Sequence, residues 1–338
     1  MRTLVCNSPG SFEYRDLPVP QHYNGHVLLK ITNIGICGTD LHAFEGTQPY
    51  FEYPRVLGHE LSGEIVDVNG ASGFRNGDQV AVLPYFSCGR CIACRNGKPN
   101  CCTSIRVCGV HVDGGMAEYF AVPATSLIPG GGLPLQHLAV VEPLAIGAHG
   151  IRRAGVQTGE FVLVIGAGPI GIAAMEFARL AGARVIAMDT NPQRLAYCRE
   201  KKYAAFIVNP KDDDAHDRLL EITDGDMATL VIDATGNQAA INSGIQYLAH
   251  GGRYVLIGLQ KGDLIFNHPE FHKRESTLMS SRNATRQDFE YVIDCIRKGL
   301  VRPDDYISGT LSFDETAAAF PRLLHPAGNI IKMVIKMP

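Results

Sequence analysis

Residues 161–189 carry the pattern that most restricts what this chain can fold into. Phe161-Val162-Leu163-Val164-Ile165 is an uninterrupted apolar run, as a strand buried on both faces requires. It enters Gly166-Ala167-Gly168-Pro169-Ile170-Gly171 and a helical pattern through Leu180. A second apolar run, Arg184 to Met188, then ends on Asp189. Glycine spacing alone is weak evidence. Strand, glycine turn, helix, strand and acid in this order form the fingerprint of a dinucleotide-binding unit. Gly166, Gly168 and Gly171 let the backbone approach a pyrophosphate, and the helix start at Pro169 and Ile170 favours its charge. Asp189 can bind both ribose hydroxyls and repels a 2′-phosphate, which predicts NAD over NADP. Arg194 is the one nearby feature on the NADP side.

The same alternation continues. Phe206–Val208, Leu230–Ala234, Arg253–Ile257 and Thr277–Ser280 read as further strands with helices between them. Six strands make a complete doubly wound parallel sheet of the Rossmann type, an α/β domain spanning residues 144–281. Thr235-Gly236 and Gly258-Leu259 fall at the carboxyl ends of strands, where ligands bind in such sheets. They are expected beside the nicotinamide ribose and ring, with structural turns as the competing explanation. The acidic run Asp212-Asp213-Asp214 reads as a solvated helix start.

Residues 1–143 have a different texture. Val27–Thr32, Leu61–Val68 and Gln79–Leu83 mix alternation with β-branched residues, and frequent Gly and Pro point to a small barrel-like β domain. Within it lies Cys88-x2-Cys91-x2-Cys94-x7-Cys102. Four thiolates so spaced can wrap one tetrahedral zinc with no open position, which marks a structural site. A redox role needs one Cys-x-x-Cys pair and leaves two cysteines idle. Cys101 stands next to Cys102, and on spacing either reaches the metal. Cys6, Cys108, Cys198 and Cys295 read as small core residues.

A second donor set lies upstream. Cys37, His59 and Glu60 offer a thiolate, an imidazole and a carboxylate, with Glu142 in reserve, and three protein ligands plus an open position suit a catalytic zinc. A metal so held lowers the pKa of a bound oxygen. Thr39 can accept the released proton, and His42, three residues on, can carry it outward. Taken alone, Cys37 reads as a buried hydrophobe and Glu142 as a helix cap. His149 reads as a packed helix residue. After the sixth strand an amphipathic helix spans about 286–298. The final apolar run Ile330–Ile335 should then rejoin the first domain, making it discontinuous, 1–143 with 282–338, and leaving the active site in the cleft.

Gly35-Ile36-Cys37-Gly38-Thr39-Asp40-Leu41-His42 followed by Val56-Leu57-Gly58-His59-Glu60 resembles the zinc-dependent medium-chain alcohol and polyol dehydrogenases, over nearly the whole chain. The resemblance implies a GroES-like first domain and selects Cys102 over Cys101. It also implies that Glu142 approaches the zinc as ligand or water-linked partner, as in polyol and sugar dehydrogenases, where ethanol-type enzymes carry a cysteine. Whether Glu60 or Glu142 binds directly stays open. By the same analogy Arg282, with Asn283 beside it, reaches the cofactor or the far end of the substrate. Gly97–Asn100, Gly109–Gly115 and Ser280–Asn283 resemble a bacterial branch containing L-galactonate and L-gulonate 5-dehydrogenases and a starvation-sensing zinc dehydrogenase.

Bulk properties exclude other classes. The net charge of −3 gives no electrostatic case for nucleic acid or an anionic membrane. No apolar run approaches the about 18 residues of a spanning helix, and the N-terminus lacks the apolar core of a secretory signal. With 46% hydrophobic and 19% charged residues, the 338-residue chain can bury two cores. Reduced thiols fit a cytoplasmic enzyme. The expectation is a homodimeric or homotetrameric oxidoreductase oxidising a secondary alcohol on a sugar acid or polyol. The rivals are a sorbitol- or galactitol-type, threonine or glucose dehydrogenase, a metal-free quinone or enoyl reductase, and a catalytically silent NAD-binding sensor. Intact Cys37, Thr39, His42, His59 and Glu142 argue against the last.

Overall fold

The computed structural model describes residues 1–21, 25–49, 51–212, 214–324 and 330–338. Its chain forms two compact units, Met1–Glu142 with Ala284–Pro338, and Pro143–Asn283.

The first unit is built around the strand His26–Gly35. Its early residues alternate, with Val27, Leu29 and Ile31 buried and Lys30 exposed, whereas Asn33, Ile34 and Gly35 are all buried. The strand is central along its whole length, with a neighbour on each edge. Glu60–Asp67 pairs along one edge, placing Gly35 opposite Glu60. On the other edge the early half pairs with Tyr119–Pro123, and the late half with the C-terminal strand Lys332–Lys336. Gln79–Val82, Leu127–Pro129 and Ile307–Ser312 complete a seven-stranded sheet. A smaller sheet of Ser11–Asp16, Arg2–Ser8 and Arg55–Val56 contributes Leu4, Val5 and Val56 to the core formed with Leu29, Ile31, Phe44 and Phe320. This is the β-rich GroES-like half.

In the second unit the six parallel strands stand in the order Phe206–Val208, Arg184–Met188, Phe161–Ile165, Ala228–Asp233, Leu248–Leu256, Thr277–Ser280. In chain order that is 3-2-1-4-5-6, the doubly wound Rossmann arrangement. Val162 to Ile165 are all buried, which accounts for their unbroken apolar run. The order reverses between the first and fourth strands. There the Gly166 turn meets the Thr235 turn, since a Cβ on Gly166 would lie 2.9 Å from Thr235 Cγ2.

Asp214 caps the helix Ala215–Ile222 through the amides of His216 and Asp217, so the acidic run is a helix start; Asp213 lies outside the described residues. His149 is buried and accepts a hydrogen bond from Arg152. Cys6, Cys108, Cys198 and Cys295 are buried core residues. No helix among the described residues is long and apolar enough to cross a membrane.

Candidate active site

The strand His26–Gly35 runs through Ile36 into the helix Gly38–Glu45, and Cys37 sits at the helix N-cap. The cap is closed by Asp40, whose Oδ2 accepts the Cys37 amide at 2.9 Å while the Cys37 side chain faces the Asp40 amide. Gly58-His59-Glu60 enters from the partner strand. A Cys37 sulfur, a His59 ring nitrogen and a Glu60 oxygen all lie within 4.8 Å of one another. Among the described residues this group contains Glu60 and not Glu142.

The electrostatics of the group are those of a cation site. Burial works against a charged imidazole, yet Cys37, Asp40 and Glu142 together hold His59 well above its ordinary pKa. Anionic groups that draw a proton onto a buried histidine serve a metal ion equally well. A buried acceptor atom also remains unmatched: Glu60 Oε2 has no hydrogen-bond partner. Unsatisfied polar atoms in a dry site are costly, and a metal would satisfy the donor set. Asp40 Oδ1, fully buried, accepts the Gly58 amide at 3.2 Å and lies 3.7 Å from His59 Nδ1. That places a carboxylate behind the imidazole, on the side where an outer carboxylate sits for a ligating histidine.

Glu142 lies in the first turn of the helix Val141–Ala154. It is buried and accepts a hydrogen bond from the Tyr85 hydroxyl. Burial pushes its carboxyl up to about 7, with His59 pulling the other way. Thr39 and His42 both stand on the helix Gly38–Glu45, one turn apart. Thr39 is half-buried and His42 exposed, with His42 Nδ1 3.1 Å from Thr47 Oγ1.

Cys88, Cys91, Cys94 and Cys102 bring their sulfurs within 4.8 Å of one another. Cys102 is buried and Cys101 points to solvent. All ten cysteines are free thiols. The Cys91 amide reaches Cys88 Sγ at 3.4 Å and the Cys88 amide reaches Cys102 Sγ at 3.3 Å. Such backbone donors lower the Cys91 thiol to about 5 and Cys88 to about 7, whereas burial raises Cys94 to about 11. Amide-stabilised thiolates converging on one point suit a structural zinc.

At the nucleotide end, a Cβ on Gly171 would lie 1.8 Å from the Gly166 carbonyl oxygen, so the turn and the helix Pro169–Leu180 pack at a distance only glycine permits. Gly168 is the N-cap and Pro169 opens the helix, with Ile170 half-buried behind it. Asp189 is tied to this turn, accepting the Ala167 amide at 2.7 Å and the Asn191 amide at 2.8 Å. Arg194 lies in the first turn of the next helix, its amide on the Asn191 cap. Thr235-Gly236 and Gly258-Leu259 meet backbone to backbone, since a Cβ on Gly258 would fall 2.2 Å from the Gly236 nitrogen. Arg282 is exposed, and Asn283 holds a left-handed φ of 54° at the end of the unit.

Comparison with known proteins fits this geometry. Residues 23–134 match the alcohol dehydrogenase GroES-like domain, and residues 169–298 match the zinc-binding dehydrogenase family. Over 336 residues, 99% of this chain and 98% of the relative, it is 43% identical to L-galactonate-5-dehydrogenase of Escherichia coli K12. The chain belongs to the zinc-dependent alcohol and polyol dehydrogenases. Among solved structures, the alcohol dehydrogenase rspB of E. coli CFT073, complexed with NADH, superposes with a TM-score of 0.92 at 30% identity over 99% of both chains. L-idonate 5-dehydrogenase of E. coli superposes with a TM-score of 0.89 at 25% identity, over 99% of this chain and 97% of that one.

In this zinc-dependent dehydrogenase, residues that carry no motif of their own contact the candidate site residues. Asp40 is visible in the sequence only as the third residue after Cys37, a capping-box spacing. Tyr85 and Lys332 give no such signal, because their partners, Glu142 and Glu60, are remote along the chain. Asp233 ends its strand fully buried and accepts the Thr235 amide and hydroxyl and the Gly236 amide, which shapes the turn. A carboxylate closing an apolar strand before Thr-Gly was its one trace.

Proposed function

We propose that this enzyme oxidises a secondary alcohol on a sugar acid, with L-galactonate or L-gulonate as substrate and NAD as hydride acceptor. The single observation that carries this reading is the end-to-end likeness to L-galactonate-5-dehydrogenase, 43% over 99% of the chain. The structural likeness to an L-idonate 5-dehydrogenase points to the same substrate chemistry. A polyol is the second reading, favoured by 29% identity over 99% of the chain to the sorbitol dehydrogenase of Bacillus subtilis.

In this reading Cys37, His59 and Glu60 hold the catalytic zinc, with Glu142 as alternative carboxylate, and Cys88, Cys91, Cys94 and Cys102 hold the structural one. The bound cofactors supply Lewis-acid polarisation of the alcohol oxygen and a nicotinamide acceptor for the hydride. The chain's own groups do the rest. Thr39 accepts the hydroxyl proton as it gives up its own, and with the cofactor ribose in the relay His42, one helical turn outward, exchanges the released proton with solvent. Gly166, Gly168, Pro169, Ile170 and Gly171 cradle the pyrophosphate, and Asp189 takes the ribose hydroxyls with Arg194 at the margin. Thr235, Gly258 and Leu259 border the nicotinamide, and Arg282 with Asn283 meets the substrate's far end. Ten cysteines outside any disulfide support a cytoplasmic setting. Exposed Leu264, Ile265 and Phe266 support assembly with further copies of the chain.

NADH formation across L-galactonate, L-gulonate, sorbitol, L-threonine and ethanol, each with and without a zinc chelator, tests this. Chelator-sensitive turnover on either aldonate, well above the others, is expected. Turnover confined to sorbitol would move the assignment to the polyol reading. Silence across the panel in zinc-loaded, NAD-binding protein would overturn both.

A further inference from the structure

The C-terminal strand does more than close the sheet. Pairing Val334 with Gly35 brings Lys332 beside the entry to the helix that starts at Cys37. Its ammonium, 4% exposed, donates to Glu60 Oε1 at 2.6 Å and to the Ile36 carbonyl at 3.0 Å. Glu60 is fully buried, and Oε2 has no hydrogen-bond partner. Across the strands the carboxylate rests on the α-carbon of Gly35, where a Cβ would lie 2.0 Å from Oε2. Glu60 is thus held between an ammonium on one oxygen and bare backbone at the other.

A buried ion pair is a poor device for stability, since apolar residues of similar volume serve as well. Its place beside Cys37 and His59 suggests another role. An unopposed carboxylate in a dry site next to a dication gives both oxygens and its full charge to the metal. Lys332 engages one of those oxygens and offsets that charge. We propose that Lys332 is a positioning residue that restrains Glu60, leaving one carboxylate oxygen for the catalytic metal so that Glu60 binds weakly enough to leave room for substrate. This rests on Cys37, His59 and Glu60 being the metal site.

The two roles predict opposite signs. If Lys332 merely props the fold, its loss loosens the metal; if it restrains Glu60, its loss tightens it. The experiment follows zinc release to a chelator from the full-length enzyme, with the four-cysteine zinc as internal control, in wild type, Lys332→Met, Lys332→Gln, Lys332→Arg and Cys37→Ala. Cys37→Ala should contain one zinc fewer than wild type. Lys332→Met should release its catalytic zinc about tenfold more slowly while kcat falls about tenfold or more, the scale typical of outer-sphere partners. Lys332→Gln, which keeps a hydrogen-bond donor without the charge, should do the same and covers the case in which the methionine variant does not fold. Lys332→Arg should restore both quantities. Zinc release unchanged or faster in the neutral variants, with Cys37→Ala deficient in zinc, overturns the inference alone. Full zinc in Cys37→Ala overturns the site and the inference together.

Discussion

The amide of Ala167 donates to Oδ2 of Asp189 at 2.7 Å, so the glycine turn and the acid ending the next strand form one hydrogen-bonded unit. Asp189 thus braces the turn, and in the proposed reading the carboxylate so fixed also takes the ribose hydroxyls. Asp189→Ala is expected to narrow the ratio of kcat/KM for NAD over NADP by about 10- to 100-fold, the range for hydrogen bonds to a charged group. Steady-state kinetics with both nucleotides checks this, and an unchanged ratio would move the cofactor preference elsewhere.

Gly171 meets the Gly166 carbonyl with no space for a side chain. In Gly171→Ala the helix Pro169–Leu180 must shift away from the turn, at a cost of about 1–3 kcal/mol typical of overpacking. Urea unfolding should show this loss, and calorimetry should show weaker NAD binding. Normal affinity in a destabilised protein would limit Gly171 to packing.

His42 is exposed one turn beyond half-buried Thr39. His42→Ala should lower kcat toward the lower end of the about 10²–10⁴-fold range of proton-transfer groups, and imidazole in the buffer should restore part of it. Thr39→Val should lose activity without such rescue. Rescue of both, or of neither, would contradict the order of the relay.

The nucleotide half was readable because its determinants are local. An apolar strand, three glycines and an acid fall within one βαβ unit, and each is dictated by a close approach or a buried face near in sequence. The cysteine loop was readable for the same reason. Asp40 was partly readable, since its capping partner is three residues away. Lys332 was not, because 272 residues separate it from Glu60 and only strand pairing brings them together. The placing of Glu60 rather than Glu142 beside Cys37 and His59 has the same origin. It follows from the Gly35–Glu60 register, which spacing along one chain does not encode.

Stability should depend on pH in opposite ways with and without zinc. In the absence of metal, burial lifts Glu142 from the usual 4.5 to about 7, and the surrounding anions lift His59 above its usual 6.5. Both groups then bind more protons folded than unfolded. Stability from Glu142 is lost as pH rises from 4.5 through about 7. That from His59 is full below 6.5 and lost above its raised value. Asp40, raised mainly by burial, acts in the same direction. Chelator-stripped enzyme should therefore unfold more easily at about pH 8 than at about pH 5 in denaturant titrations. In zinc-loaded enzyme metal replaces these protons, so affinity for zinc should rise with pH. Equal slopes for the two forms would contradict the placement of zinc at this site.

In the proposed reading one catalytic zinc is held by Cys37, His59 and a carboxylate, separate from the four-cysteine zinc. Its most direct test is zinc content per chain, with turnover of L-galactonate, in wild type and Cys37→Ala. Two zincs and activity are expected in the wild type, and one zinc with no turnover in a folded Cys37→Ala variant. Two zincs and undiminished turnover in that variant would contradict it.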